Sequence, residues 1–376
     1  MIKLTTAGES HGKMLVGILE GLPSNMPVDI GQIDGYLALR QSGYGRGGRQ
    51  KIERDRVEIL SGVRNKLTLG SPVAFCVSNA DYGNWREIMA PEGADVTGRM
   101  LTRVRPGHAD LAGMIKYGQT DARNILERAS ARETAVRVVG GSIARQYLEM
   151  LGVSVSGYVK SICGIRDENY YPFEKLAEAK SHPLFMLDGE REREAMALVD
   201  RLKAEGDTAG GVIEIRVKGL KSGFGSCMRY ADKLDANLCG AIMSVQAIKG
   251  VEVGMGFACA DLTGSKVHDE IYLNGGKYTR TSNNAGGIEG GMSNGEEIVL
   301  RAVMKPIPTL MRGLKTVDTA TGEPSIADSE RSDVLAICAC EVILESVVAL
   351  ALADAVSKRL GGDNIMEVKA RYAQLP

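Results

Sequence analysis

From residue 333 to about residue 360 the chain reads as one long helix. It stops at Gly361-Gly362, and its middle turns are apolar on nearly every side. A helix of that kind is stable only when other elements surround it, so the fold has to be built around this segment. Residues 57–60, 73–78, 153–159, 212–217, 251–257 and 298–303 are short, rich in β-branched side chains and bounded by Gly, Ser, Asn or Asp, which predicts strands. They outnumber the helices and do not alternate regularly with them. The expected class is therefore α+β, with helices packed on antiparallel sheets rather than a doubly wound parallel sheet.

Three more helices are readable. Ser130 and Glu133 have capping-box spacing, and Val136, Val139, Ile143, Tyr147 and Leu151 follow at helical intervals, so a helix is expected from just after Ser130 to Gly152. A charged helix with a Met196, Val199, Leu202 stripe is expected over 188–204, and another over 232–248. The 11 prolines are dispersed and no stretch has linker composition, so residues 1–376 read as a single unit. Glu341, Glu345 and Asp354 interrupt the apolar helix and leave no run long enough for a bilayer. The N-terminus lacks the basic-then-apolar plan of a signal peptide. The seven cysteines include no Cys-x-x-Cys pair, which points to a reduced, cytoplasmic protein.

With 46 basic and 47 acidic residues the chain is nearly neutral, which argues against a dedicated nucleic-acid or membrane-surface binder. The charge is nevertheless uneven. Residues 40–66 carry eight basic against three acidic side chains, and residues 99–132 carry seven against three. Two cationic stretches in a neutral chain suit a small polyanion held between them, because arginine forks match phosphate and carboxylate oxygens in pairs. Gly43-Tyr44-Gly45-Arg46-Gly47-Gly48-Arg49 formally satisfies G-x-G-x-x-G. It follows a helical segment instead of a strand, so it reads as a loop over an anionic ligand rather than a dinucleotide fingerprint.

Four histidines occur, none at ligand-pair spacing, so a zinc site is not expected. His11 and His108 lie among glycines, and His108 falls inside a cationic segment. An imidazole between cations and phosphate is suited to proton transfer near neutral pH, so these two are the candidate acid or base. Gly8-Glu9-Ser10-His11-Gly12 also satisfies G-x-S-x-G, which leaves a serine hydrolase using Ser10 as the alternative. The glycine- and amide-rich run from Asn283 through Gly290 to Gly295 offers backbone N–H groups to a flat or phosphorylated ligand, and Lys305-Pro306-Ile307-Pro308-Thr309 is a stiff segment after a strand.

Taken together, these residues resemble the chorismate synthase family. The match is carried by Gly8-Glu9-Ser10-His11-Gly12 running to Glu20-Gly21-Leu22-Pro23, by Glu127-Arg128-Ala129-Ser130-Ala131-Arg132-Glu133-Thr134, and by Arg331-Ser332-Asp333. Between them lie Arg105-Pro106-Gly107-His108-Ala109-Asp110, the Tyr44 to Arg49 loop and Lys305-Pro306, in consistent order. The resemblance implies 1,4-anti elimination of phosphate from 5-enolpyruvylshikimate 3-phosphate to give chorismate, with reduced FMN and no net redox change. It implies a β-α-β sandwich and a homotetramer.

By the same resemblance His11, His108 and Asp333 are catalytic. His11 would protonate the leaving phosphate, His108 the reduced flavin, and Asp333 would help move the substrate's carbon 6 proton. The residues alone leave open which histidine does which job. Arg40, Arg46, Arg105, Arg132 and Arg331 would bind substrate anions. Arg128, Ala129, Ser130, Gln246, Ala247, Gly290, Lys305, Pro306, Ile307, Pro308, Thr309 and Arg331 would contact FMN, and Arg40 and Arg46 are a possible NADP site. Gln41, Ala129 and Gln246 depart from the Arg, Ser and Asn common in the family.

Overall fold

The computed structural model describes residues 1–46, 54–93, 96–328 and 333–376. Strands β1 (Lys3–Ala7), β2 (Met14–Glu20), β3 (Val57–Ile59) and β4 (Val73–Ser78) form an antiparallel sheet in the order β1-β2-β4-β3, with Thr5 opposite Ile18 and Val16 opposite Cys76. A second antiparallel sheet contains β5 (Ser154–Ile162), β6 (Ile165–Arg166), β7 (Gly211–Lys218), β8 (Ile248–Val253) and β9 (Ile298–Met304), in the order β8-β9-β7-β5-β6. The helices that matter here are α1 (Ile30–Arg40), α2 (Asp110–Tyr117), α3 (Arg123–Ala129), α4 (Thr134–Glu149), α5 (Gly189–Glu205), α6 (Leu234–Met243) and α7 (Ile337–Leu360). The class is α+β, as the irregular order of strands and helices predicts. No described helix is long and apolar enough to cross a membrane.

Helix α7 occupies the place its sequence demands: every residue from Ile337 to Ala349 is buried. It packs on α4 at a backbone-to-backbone approach, where a methyl group on Gly141 would sit 2.4 Å from Ser346 Cβ and 2.6 Å from its Cα and carbonyl oxygen. Helix α4 reaches the first sheet, since a methyl on the adjacent Gly140 would sit 2.9 Å from Leu4 of β1. Helix α7 reaches the second, where Glu345 Oε1 accepts the Gly157 N–H of β5 at 2.7 Å. The Gly141 contact gives a direct test. Gly141→Ala must push the two helices apart, and a loss of about 1–3 kcal/mol or more in denaturant unfolding is expected. A wild-type midpoint would show that the helices can separate without cost.

The strand expected over 251–257 runs instead from Ile248 to Val253, with a 3-10 turn over Gly256–Asp261, and three helix boundaries also differ from the sequence expectation. Ser130 Oγ accepts from the Arg132 N–H at 3.3 Å, while the Glu133 N–H donates to the Ser130 carbonyl at 3.3 Å. The Glu133 carboxylate is taken by Arg137 at 2.7 Å and Gln246 at 2.9 Å, so no capping box forms; one 3-10 turn intervenes before α4 begins at Thr134. Helix α6 ends at Met243, and the left-handed φ of 69° at Ala247 rules out the continuation to 248 that the sequence suggested. Helix α7 begins at Ile337, later than expected. The N–H of Val334 donates to the Gly45 carbonyl at 3.0 Å, and its carbonyl accepts from Ala209 at 3.0 Å.

Candidate active site

His11 is carried by the loop joining β1 to β2. Gly8 turns the chain at a φ of +106°, where a methyl group would meet the Met14 carbonyl at 2.5 Å. Asn79 then ties the loop down by donating to the Ser10 and Gly12 carbonyls at 2.9 and 3.1 Å. Ser10 is buried in this hairpin loop, and the residues after it form strand β2. It is therefore not on a strand-to-helix elbow, and the serine hydrolase alternative loses its structural basis.

Behind His11 stands Glu127 of α3. Its Oε1 lies 2.8 Å from His11 Nδ1, and its Oε2 accepts the His11 backbone N–H at 2.8 Å. Burial pushes the Glu127 carboxyl up, but the His11 hydrogen bonds and the charge of Arg123 outweigh this and hold it below the usual carboxylate range. The His11 ring stacks on Trp85 with centroids 3.8 Å apart.

His108 opens the approach to α2 and has a different setting. Its Nδ1 contacts Asp110 Oδ1. Arg105 spans the same carboxylate, with Nε 2.9 Å from Oδ2 and Nη2 3.1 Å from Oδ1, and Nη2 also lies 3.0 and 3.3 Å from the two imidazole nitrogens. Burial raises the Asp110 carboxyl, yet the His108 and Arg105 hydrogen bonds and charges pull it well below the usual range. Arg105 Nη1 donates to Thr309 Oγ1 at 3.0 Å, which brings the 305–309 segment to the same place. Lys305 Nζ donates to the Gly107 carbonyl, and the Lys305 N–H donates to the Ala247 carbonyl at 2.9 Å.

On another wall, Arg40 from the end of α1 donates to Thr134 Oγ1 at 3.1 Å and to the Ala131 carbonyl at 2.8 Å. Arg132 pairs with Asp55, and Arg40 Nη1 lies 3.7 Å from the same carboxylate. Arg46 pairs with Asp333 at 3.1 Å.

These groups surround one cavity of about 510 Å³, within the range of small-molecule sites. It is lined by His11, Arg40, Arg46, Arg105, His108, Ala129, Ser130, Arg132, Gln246, Ala247, Lys305, Ile307, Pro308, Thr309 and Asp333, all named from sequence, and closed by Ala336, Ala339, Cys340 and Ile343 of the α7 segment. Three called positions behave differently. Arg128 is exposed and donates to Thr6 and to the Gly8 carbonyl. Gly290 forms the turn of a small hairpin beside Cys227 and Met292 and does not line the cavity. Pro306 is exposed outside it. Arg331 lies outside the described residues, as do Gly47, Gly48 and Arg49. Cys340 is no nucleophile, since burial pushes its thiol up to about 12.

Sequence reading missed the groups behind the histidines. Asp110 had a signal, being two residues from His108. Glu127 opens one of the matched blocks, but nothing in the sequence joins it to His11, 116 residues away. Asp55, Thr134 and Trp85 likewise become visible only once the chain is folded.

Comparison with known proteins gives one answer. The sequence model of the family described as chorismate synthase matches residues 2–357. A chorismate synthase of Geobacter sulfurreducens is 50% identical over 383 residues, covering 99% of this chain and 98% of that protein. One of Pelobacter propionicus is 51% identical over 384 residues with the same coverage. A crystal structure of a chorismate synthase superposes with a TM-score of 0.80 at 38% identity, over 99% of this chain and 96% of the other. With near-complete matches in sequence and in fold, the chain belongs to the chorismate synthase family.

Proposed function

We propose that the cavity between His11 and His108 binds 5-enolpyruvylshikimate 3-phosphate beside reduced FMN and eliminates phosphate in the 1,4-anti sense to give chorismate. The carbon–oxygen lyase assignment follows from the family; the cofactor and the residue roles are our reading. The observation that carries the roles is convergence. Arg40, Arg105 and Arg132, from distant segments, share one cavity with both histidines, and the substrate carries a phosphate and two carboxylates for them to meet.

The residues present fit a flavin mononucleotide. Val245, Ala247, Leu126, Ile307, Pro308 and Ile343 give an apolar wall, while Ser130, Lys305 and Thr309 give donors for a phosphate or ring edge. Among the described residues the buried Gln246 Oε1 and Arg46 Nε have no hydrogen-bond partner, and they can accept from and donate to such a ligand. When bound, the reduced flavin supplies electron density next to the carbons where the diene forms. The arginines orient the substrate and neutralise its leaving phosphate, which eases C–O cleavage. His11, anchored at Nδ1, gives a proton to that phosphate through Nε2. His108, its ring held at Nδ1 by Asp110, would be the proton source beside the reduced flavin, and Asp333, paired with Arg46, would help move the proton lost from carbon 6.

Arg40 and Arg46 are the proposed contacts for a nicotinamide nucleotide, although external reduction of the flavin is our expectation. A β-α-β sandwich, a homotetramer and a cytoplasmic location complete the reading. The test is phosphate release under anaerobic conditions with chemically reduced FMN, then aerobically with NADPH alone. Stoichiometric phosphate and chorismate in the first condition support the reading, and no phosphate from a folded protein ends it.

A further inference from the structure

We propose that Glu127 is the positioning residue of His11, fixing its tautomer and the direction of its ring, and that Trp85 forms the platform on which the imidazole is held. This deepens the function proposed above and rests on it. Glu127 grips one residue at two points, the ring through Oε1 and the main chain through Oε2, each at 2.8 Å, while its own carbonyl accepts the Ser10 N–H at 2.8 Å. Rotating the imidazole away would leave a carboxylate that is 3% exposed without its partner, which is costly. The ionised carboxylate only accepts, so His11 Nδ1 carries the proton in either charge state. Exchange with a ligand then occurs at Nε2.

Trp85 fixes the ring's face at 3.8 Å. It is itself fixed by its Nε1 donating to Asp81 at 3.0 Å and by the Arg99 guanidinium 4.4 Å from its ring centroid. Among the described residues, the charged groups around His11 include Glu127 and Arg123 from α3, with Arg99 stacked on Trp85 and Arg40 and Arg132 lining the same cavity. Arg123 shares the Glu127 carboxylate, at 3.4 Å. His108 contrasts with this: Arg105 already occupies both oxygens of Asp110 and lies against the imidazole. One imidazole is therefore held at Nδ1 by a carboxylate that also grips its backbone, and the other shares its carboxylate with a bidentate arginine, so His11 is the ring with a free Nε2 and a fixed direction.

Trp85 is the only tryptophan in the chain, so its emission reports on the stacked ring. The experiment titrates this fluorescence in the flavin-free full-length protein, comparing wild type with Glu127→Gln, Glu127→Asp and His11→Ala. Wild type should show a transition that His11→Ala lacks. Glu127→Gln should move its midpoint to lower pH by about one unit or more, and should lower kcat by about 10²-fold or more with substrate KM little changed. Glu127→Asp keeps the charge and should hold the midpoint nearer to wild type, and it decides the matter if the glutamine variant does not fold. An unmoved midpoint, or an unmoved kcat in a folded Glu127→Gln, would reduce Glu127 to a loop tether and overturn the proposal. Failure of the wild type to release phosphate would instead sink the function and leave the Trp85 transition in place.

Discussion

His11→Ala and His108→Ala are each expected to lose about 10²–10⁴-fold in turnover while the protein still binds FMN. Neither change should collapse the cavity. In His11→Ala the Glu127 carboxylate keeps Arg123 and the residue 11 backbone N–H, and Asn79 still holds the loop. In His108→Ala the Arg105–Asp110 pair and the Arg105 bond to Thr309 persist, so the cationic wall stays where it is. The loss should thus appear in kcat more than in substrate affinity. His11→Ala should be less impaired where the leaving phosphate is already protonated, because the missing proton then arrives with the substrate. Steady-state phosphate release at several pH values measures both points, and unchanged turnover in both variants would remove the histidines from the mechanism.

The largest stability effect is expected at Lys180. Its ammonium contacts Glu341 and lies 3.2 Å from Glu345, two carboxylates one turn apart on α7 and 0% and 2% exposed. Glu345 also has Arg145 at 2.7 Å and the Gly157 N–H. Burial raises its carboxyl, but the Lys180 and Arg145 charges win and hold it below the usual range. Glu341, which has only a share of Lys180, is pushed up to about 8 by burial and by the Glu345 charge. Lys180→Met leaves Glu345 with Arg145 and the Gly157 N–H and takes from Glu341 the ammonium it contacts, and a loss of about 3–5 kcal/mol is expected in urea unfolding. An unchanged midpoint would mean that the cluster relaxes by taking up a proton at no cost.

The same cluster sets a pH dependence. Between the ordinary glutamate value of 4.5 and about 8, the folded chain keeps a proton on Glu341 that the unfolded chain releases, so this group's contribution to stability falls as pH rises through that window. Glu341→Gln removes that slope. The variant should gain on wild type steadily from pH 5 to pH 8, and parallel curves for the two proteins would contradict the assignment.

The parts legible in the sequence were those fixed by local chemistry. Asp188 caps α5 through the Glu190 and Arg191 N–H groups and Gly206 ends it in a left-handed conformation, both readable from neighbouring residues. The centrality of α7 followed from middle turns that are apolar on nearly every side, and the cationic stretches pointed to the arginines of the cavity. What escaped was decided at a distance. The Glu133 carboxylate abandons its cap for Arg137 and Gln246, and Ala247 breaks the run after α6 to present Gln246 and Ala247 to the cavity. Strand β1 has only five residues, too few to show a pattern before its pairing with β2 is known. A motif places residues along the chain and leaves side-chain direction to the fold: Arg128 turns toward β1 although Ala129 and Ser130 line the cavity.

The most direct test is an anaerobic crystal structure with reduced FMN and a substrate analogue. Our account places the flavin against Ser130, Gln246–Ala247 and Lys305–Thr309, and the analogue's phosphate among His11, Arg40 and Arg132. A neighbouring cavity of about 470 Å³, lined by Tyr44, Asp200 and Lys203, lies across the Arg46–Asp333 pair. Finding both ligands there, with the histidine cavity empty, would contradict the account.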